Sequence, residues 1–380
     1  MRIQYSQTML KYTDKNGNTI YSHKHPAKLN IYIEFRGVKG CTIYLAEGVI
    51  SIGCTNIVII GDNATVFVGR VTFGEGSIIL LQNCTCYIGN ETTMAPRARA
   101  QRLRIFAPDT NLFIGDDCMF SENIEITTTD AHVIYDVDSG RRVNDSRSVF
   151  IGDHVWLGRN VSVLKGSRMA SGSILGFGSI LTGKYCPPNS TNAGIPAQIL
   201  GTRKFWVRKE VGEVATPQER QVGIFEYEEE ASIRPCDIEH TMKSLATSHE
   251  RISFLYDFLY LNSAHNRFAW NEEAATACGE KLLPYKNSFE QHVAGVTPVK
   301  EKWESPVAGE LLFNDERARS NLLSLALQRY SIWYQYCRCK VMCRISWGRR
   351  KRKYKEKKAH YRYLLRRIKA FKMITDAISR

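Results

Sequence analysis

The stretch from Ile151 to Leu181 reads IGDHVWLGRNVSVLKGSRMASGSILGFGSIL. Taking every sixth residue gives Ile151, Leu157, Val163, Met169, Leu175 and Leu181, an apolar ladder without a break. An amphipathic helix repeats its buried face about every 3.6 residues and a half-buried strand about every two, so this spacing calls for a different architecture. Four residues after successive rungs stand Val155, Val161, Ser167, Ser173 and Ser179, all small or β-branched. Gly152, Gly158 and Gly176 directly follow three rungs, where a tight corner has no room for a Cβ. Each six-residue unit is therefore expected to form one short strand of a parallel β-solenoid, with its rung packed into the interior.

The same reading extends outward. Ile31, Ile33 and Phe35, then Ile43 and Leu45, alternate as strands do, and frequent glycines between residues 37 and 76 punctuate them too often for helix. Hexads open at Ile60-Gly61-Asp62, Ile88-Gly89-Asn90 and Ile114-Gly115-Asp116. Residues 1–29 are expected to form an N-terminal cap with a turn at Asp14-Lys15-Asn16-Gly17. Between Met94 and Pro108 the pattern lapses around Arg97, Arg99, Arg102 and Arg104, a solvated loop or a holder of an anionic group. From Ile114 the ladder runs through Phe120 and Ile126 and places its next rung at His132, an imidazole where an aliphatic side chain is due. Val133 to Val149 then lacks hexads, an ejected loop of the kind that builds binding walls. The coil is expected to end near Thr202, after Gly194-Ile195-Pro196-Ala197.

Beyond the coil, residues 206–236 carry Glu226, Glu228, Glu229 and Glu230 and read as an acidic linker. Residues 237–380 are expected to be α-helical: Asp237 would cap a helix to about Leu261, and Asn314 or Asp315 another past Val341. The net charge of +14 is concentrated in the tail, where Arg338 to Thr375 holds 16 Lys and Arg against the single acid Glu356. Aromatics such as Trp347, Tyr354 and Tyr361 interleave with that charge, as in a helix lying on an anionic membrane surface. An anionic polysaccharide or a capsule-assembly enzyme is a further candidate partner, and a solvated basic face is the plain alternative. Nucleic acid is disfavoured, since no nucleic-acid motif accompanies the charge. The opening residues carry no apolar run of signal-peptide length, and the 11 cysteines show no disulfide framework. A cytoplasmic protein, peripheral on the inner face of the plasma membrane, is the expectation.

Thr129-Asp130-Ala131-His132, Ile134-Tyr135-Asp136, Gly140-Arg141-Arg142, Ile151 to Gly158 with its Trp156, and Gly194-Ile195-Pro196-Ala197 arrive in an order that resembles the left-handed β-helix, hexapeptide-repeat acyltransferases, in their bacterial polysaccharide O-acetyltransferase branch. The likeness covers about residues 30–205. It implies a triangular prism, a homotrimer, and transfer of acetyl from acetyl-CoA to a hydroxyl of a cell-surface, capsular polysaccharide. It also implies that Trp156 lines the acetyl-CoA site.

A sugar hydroxyl attacking a thioester needs a base, and a neutral imidazole, with a reference pKa of about 6.5, suits neutral pH. His132 is the candidate base, and a satisfied interior rung is the structural alternative. Asp130 would share its face on an extended segment and orient the ring, or else cap the turn. His154, two residues before Trp156, should share the indole's face and touch donor or acceptor. Gly158, Gly176 and Gly178 would let pantetheine lie against the backbone, Arg203 and Lys204 would pair with phosphates, and Arg141, Arg142 and Tyr135 would meet an anionic sugar. No metal is expected. Zinc chemistry on this fold needs three histidines, and the later coils hold only His132 and His154, while Cys337, Cys339 and Cys343 lack a fourth ligand. An N-acyltransferase acting on an amino sugar nucleotide and a non-catalytic solenoid scaffold are the competing readings.

Overall fold

The structure is a computed structural model that describes residues 9–94, 103–210, 224–229, 231, 233–277, 288–294 and 296–299. The basic tail, the helix expected from Asn314 or Asp315, the Cys337 to Cys343 group and Arg97, Arg99 and Arg102 lie outside the described residues.

Short strands wind around three walls of ten, eight and seven strands. One coil runs Thr65–Val68, Thr72–Phe73 and Gly76–Leu80, one strand per wall, and each strand pairs in parallel with its counterpart in the next coil. On the ten-stranded wall the inward register is Leu45, Val68, Ile88, Ile114, Ile151, Met169 and Cys186. The ladder from Ile151 to Leu181 is buried throughout and visits the three walls in turn, so three hexads close one coil. An apolar column that each coil extends explains why a period of six is stable although no single two-residue strand would be.

The coil starts earlier than residue 30. Within the expected cap, Leu10–Thr13 and Thr19–Ser22 form a hairpin around the predicted turn, and Thr19–Ser22 pairs in parallel with Thr42–Leu45. At the far end Ala197–Gly201 folds back antiparallel on Thr191–Gly194 and closes the stack.

The outer face of the ten-stranded wall is apolar as well. In register from coil to coil it presents Tyr21, Tyr44, Phe67, Tyr87, Phe113 and Phe150, with Tyr44 and Phe67 stacked at 4.6 Å and Phe113 and Phe150 at 5.1 Å. Helices cover it, α1 (Pro235–Ser244), α2 (Ser248–Phe254), α3 (Glu272–Thr276) and α4 (Ser288–Val293); they and the segments joining them bring Ile238, Met242, Phe254, Leu255, Leu259, Trp270 and Phe289 onto the column. The single helix expected from Asp237 to Leu261 is broken. Arg234 is the N-cap of α1, with Pro235 in its first turn. Thr247 and Glu250 then form a reciprocal capping box that starts α2, which passes into a π-helical turn at Leu255–Tyr260.

The expected linker also packs on the prism where it is described. Trp206 is buried, and Asn189 accepts from Tyr227 N and donates to Phe225 O. No helix among the described residues is long and apolar enough to cross a membrane.

Candidate active site

The coil breaks after Thr128 and resumes at Val149, and the intervening loop carries His132 on its surface. The imidazole therefore lies outside the prism instead of filling the rung that the period placed there. The reason is local: Ala131 takes φ +67°, and His132 N donates to Asp130 O at 2.8 Å, a tight turn that ends the extended run. The same turn overturns the shared face expected of Asp130 and His132, which assumed extended backbone. The Asp130 carboxylate instead accepts from Lys165 Nζ at 2.5 Å and Asn144 Nδ2 at 3.0 Å. The Lys165 hydrogen bond holds it below the ordinary carboxylate range.

Asn144, which the sequence did not single out, is buried at the neck of the loop. Its Nδ2 also donates to His132 O at 2.7 Å, and its Oδ1 accepts from Ile134 N at 2.8 Å, so one amide brackets His132 on both sides. Further along the loop Tyr135 bridges to Arg142, whose guanidinium reaches Asp145 at 3.5 Å, and Tyr135, Arg141 and Arg142 are all exposed.

Trp156 stands on the outer face of the eight-stranded wall, half-buried, its Nε1 donating to Ser121 Oγ at 3.4 Å. The His132 loop leaves from the corner between the seven- and ten-stranded walls. In a three-sided column that corner faces away from the eight-stranded wall, so one chain holds His132 and Trp156 on opposite sides.

His154 does not share the face of Trp156. It occupies a corner with φ +51°, a left-handed conformation uncommon for a side chain with a Cβ, directly above Asp117 (φ +54°) of the preceding coil. Its ring is 1% exposed; Nδ1 meets Asp117 Oδ2 at 2.6 Å and Nε2 meets Trp206 O at 3.0 Å. Trp206 and Phe225 stack on its two faces at 4.0 and 4.2 Å. Trp206 in turn lies 6.0 Å from Trp156, and its Nε1 donates to His154 O. Arg208 completes this strap, donating from Nε to Asp117 Oδ1 and from its amines to Thr93 Oγ1, Glu91 O and Cys118 O. Burial pushes the Asp117 carboxyl up, but His154 and Arg208 more than offset it and hold it below its ordinary value.

The remaining candidates are dispersed. A Cβ on Gly158 would meet Phe177 N at 2.8 Å, which marks a packed corner, whereas Gly178 (φ +68°) faces open space. A Cβ on Gly176 would meet Ala193 Cβ at 3.2 Å. Arg203 is exposed and reaches Glu226 at 3.8 Å; Lys204 is exposed, with its backbone tied to Asn189. No cluster of side chains with metal-ligating character occurs among the described residues.

Known proteins complete the picture. No protein-family model matches the chain. It is 38% identical over 113 residues to a polysialic acid O-acetyltransferase of Neisseria meningitidis, covering 30% of this chain and 50% of that one. Over 146 residues it is 32% identical to a polysialic acid O-acetyltransferase of Escherichia coli O1:K1, covering 38% and 46%. Over 156 residues it is 33% identical to the putative lipopolysaccharide biosynthesis O-acetyl transferase WbbJ of Escherichia coli K12, covering 37% of this chain and 69% of that one. Among solved structures, the polysialic acid O-acetyltransferase OatWY matches with a TM-score of 0.43 and 27% identity, over 52% of this chain and 96% of that one.

The three-walled coil of hexads and the sequence matches agree on a class: the chain belongs to the left-handed β-helix, hexapeptide-repeat acyltransferase family. It spans about half the length of the two polysialic acid O-acetyltransferases it matches.

Proposed function

We propose that this protein is an acetyl-CoA-dependent O-acetyltransferase that acetylates hydroxyl groups of an anionic, capsular polysaccharide, with His132 as general base. The observation that carries the reading is an exposed imidazole on a loop whose neck is fixed by Asn144, in a chain related to polysialic acid O-acetyltransferases. His132 takes the proton of the acceptor hydroxyl as its oxygen attacks the thioester carbonyl. The new C–O bond forms as the C–S bond breaks, and the imidazolium returns the proton to the departing thiolate. Base catalysis of this kind contributes about 10²- to 10⁴-fold, and alignment of the two reactants supplies much of the rest. No acyl-enzyme is required.

Because His132 and Trp156 lie on opposite sides of one prism, a site that uses both is assembled from two copies, the loop of one chain reaching the eight-stranded wall of the next. A homotrimer satisfies this three times over. The exposed Val133, Ile134, Val137 and Val143 of the loop support such a contact, since so much apolar surface on one segment is costly in water. Trp156 with Gly158, Gly176 and Gly178 would line the donor path, Arg203 and Lys204 would meet its phosphates, and Tyr135, Arg141 and Arg142 would face the acceptor. Residues 338–375 would hold the enzyme at an anionic inner-membrane surface or beside capsule-assembly enzymes.

The test is incubation of the full chain with labelled acetyl-CoA and a panel of purified capsular polysaccharides, followed by mild alkali. Alkali-labile label in the polymer is the expected result. Alkali-stable label would indicate an amide and an amino-sugar acceptor, and no transfer to any polymer would favour a scaffold.

A further inference from the structure

Two consecutive corner residues in two stacked coils face in different directions. Asp116 and Asp153 meet the helical region, whereas Asp117 and His154, the next residue in each coil, meet the Trp206 strap. Arg267, 1% exposed, comes from the segment between α2 and α3 and binds both carboxylates: Nε to Asp153 Oδ2 at 2.8 Å, Nη2 to Asp153 Oδ1 at 2.7 Å and to Asp116 Oδ2 at 2.9 Å. Its remaining amine donates to the carbonyls of Leu259 and Asn262. Burial alone would lower the guanidinium, but the two carboxylates raise it, and burial still pushes Asp116 up to about 6.

The carboxylates have little freedom to turn away. Asp116 N donates to Asp153 Oδ1 at 2.6 Å, and Asn90 N to Asp116 Oδ1 at 2.7 Å. Each of these oxygens fills the space where a Cβ on the glycine below would sit, 2.4 Å from the position built on Gly115 and 2.2 Å from that on Gly89. Two like charges stacked this closely, Asp153 buried and Asp116 partly so, repel without a cation, and here the strain must pass into the backbone of residues 115–117 and 152–154. That backbone also sets Asp117 and His154.

We propose that Arg267 is a positioning residue for the acyl site: by bridging the stacked Asp116 and Asp153 it fixes the corner on which Asp117 and His154 hold Trp206 beside Trp156. The inference rests on the acyltransferase reading only in taking Trp156 as the wall of the donor site. The coupling itself is independent of any activity.

The experiment compares the full chain with Arg267→Gln, Arg267→Lys and the double variant Arg267→Gln/Asp116→Asn, by amide hydrogen exchange and by acetyl-transfer kinetics. Exchange across residues 202–209 should rise about tenfold or more in Arg267→Gln, less in Arg267→Lys, and recover in part in the double variant, which removes one of the two charges. KM for acetyl-CoA should rise in the same order, with kcat changing less. Faster exchange confined to residues 233–277, with 202–209 as protected as before, would overturn the proposal, because Arg267 would then only anchor the helices. If Arg267→Gln does not fold, Arg267→Lys and the double variant decide by the same comparison. If the unaltered protein transfers no acetyl, the function fails while the exchange data still read the coupling.

Discussion

The imidazole of His154 lies flat against the indole of Trp206, with ring centroids 4.0 Å apart and planes 7° from parallel. Both ring nitrogens are engaged, Nδ1 with a carboxylate and Nε2 with a main-chain carbonyl, and Phe225 closes the other face. A donor molecule has no free nitrogen to meet. His154→Ala should therefore lower stability by about 2–4 kcal/mol, through a lost charge-assisted hydrogen bond and a cavity between two rings. Denaturant titration checks this. Unchanged stability with weaker acetyl-CoA binding would restore direct contact with the donor.

His132 makes the opposite prediction. Its side chain is exposed, so His132→Ala should leave stability within about 0.5 kcal/mol while kcat falls by about 10²- to 10⁴-fold. Parental turnover in a folded His132→Ala protein would remove it as the base.

Asn144→Ala separates placement from chemistry. The imidazole stays, but the amide that ties His132 O to Ile134 N is gone, and its part-buried hydrogen bonds to the loop are lost. Stability should drop by about 1–3 kcal/mol. Turnover should fall by less than in His132→Ala, as steady-state rates on the two proteins would show.

Asp117 gives the strap a pH dependence whose sign follows from its lowered pKa. A carboxyl that is more acidic folded than unfolded stabilises the fold above its unfolded value, about 3.9, and loses that contribution as pH falls through the folded one. The strap should thus stay docked from neutral pH to about 4 and loosen only below. Tryptophan fluorescence during an acid titration reads this. In Asp117→Asn the corresponding change should be absent and the strap looser at pH 7.

Phe67→Ala tests the aromatic column. Phe67 is fully buried between Tyr44, Tyr87 and Tyr260, and its truncation should cost about 3–5 kcal/mol. Hydrogen exchange should show α2 and the π-helical turn loosening before the coil does.

The coil was legible because a six-residue period fits neither a helix nor a plain strand, and because an imidazole beside an ejected loop breaks it visibly. What covers the coil was not. Thr42-Ile43-Tyr44-Leu45, Thr65-Val66-Phe67-Val68 and Thr85-Cys86-Tyr87-Ile88 each run apolar on both faces, the sign of a strand buried on two sides. Reading only the alternate residues hid that sign. The partnership of Asp117 with His154 was also within reach. Ile114-Gly115-Asp116-Asp117 and Ile151-Gly152-Asp153-His154 are the same repeat, so superposing them stacks the fourth residues. Arg267 and Trp206 offered no such handle, since each acts on coils more than 50 residues away in sequence and only the packed chain brings them there.

The appended helices also limit how copies of this chain could meet in the trimer proposed above. They occupy the flank that carries Tyr44, Phe67 and Phe150, and a closed ring asks every member for two different contact patches. Among the described residues these helices leave the other two flanks for that purpose, so in the trimer proposed above they would project from the rim of the assembly, clear of the crevices between neighbours.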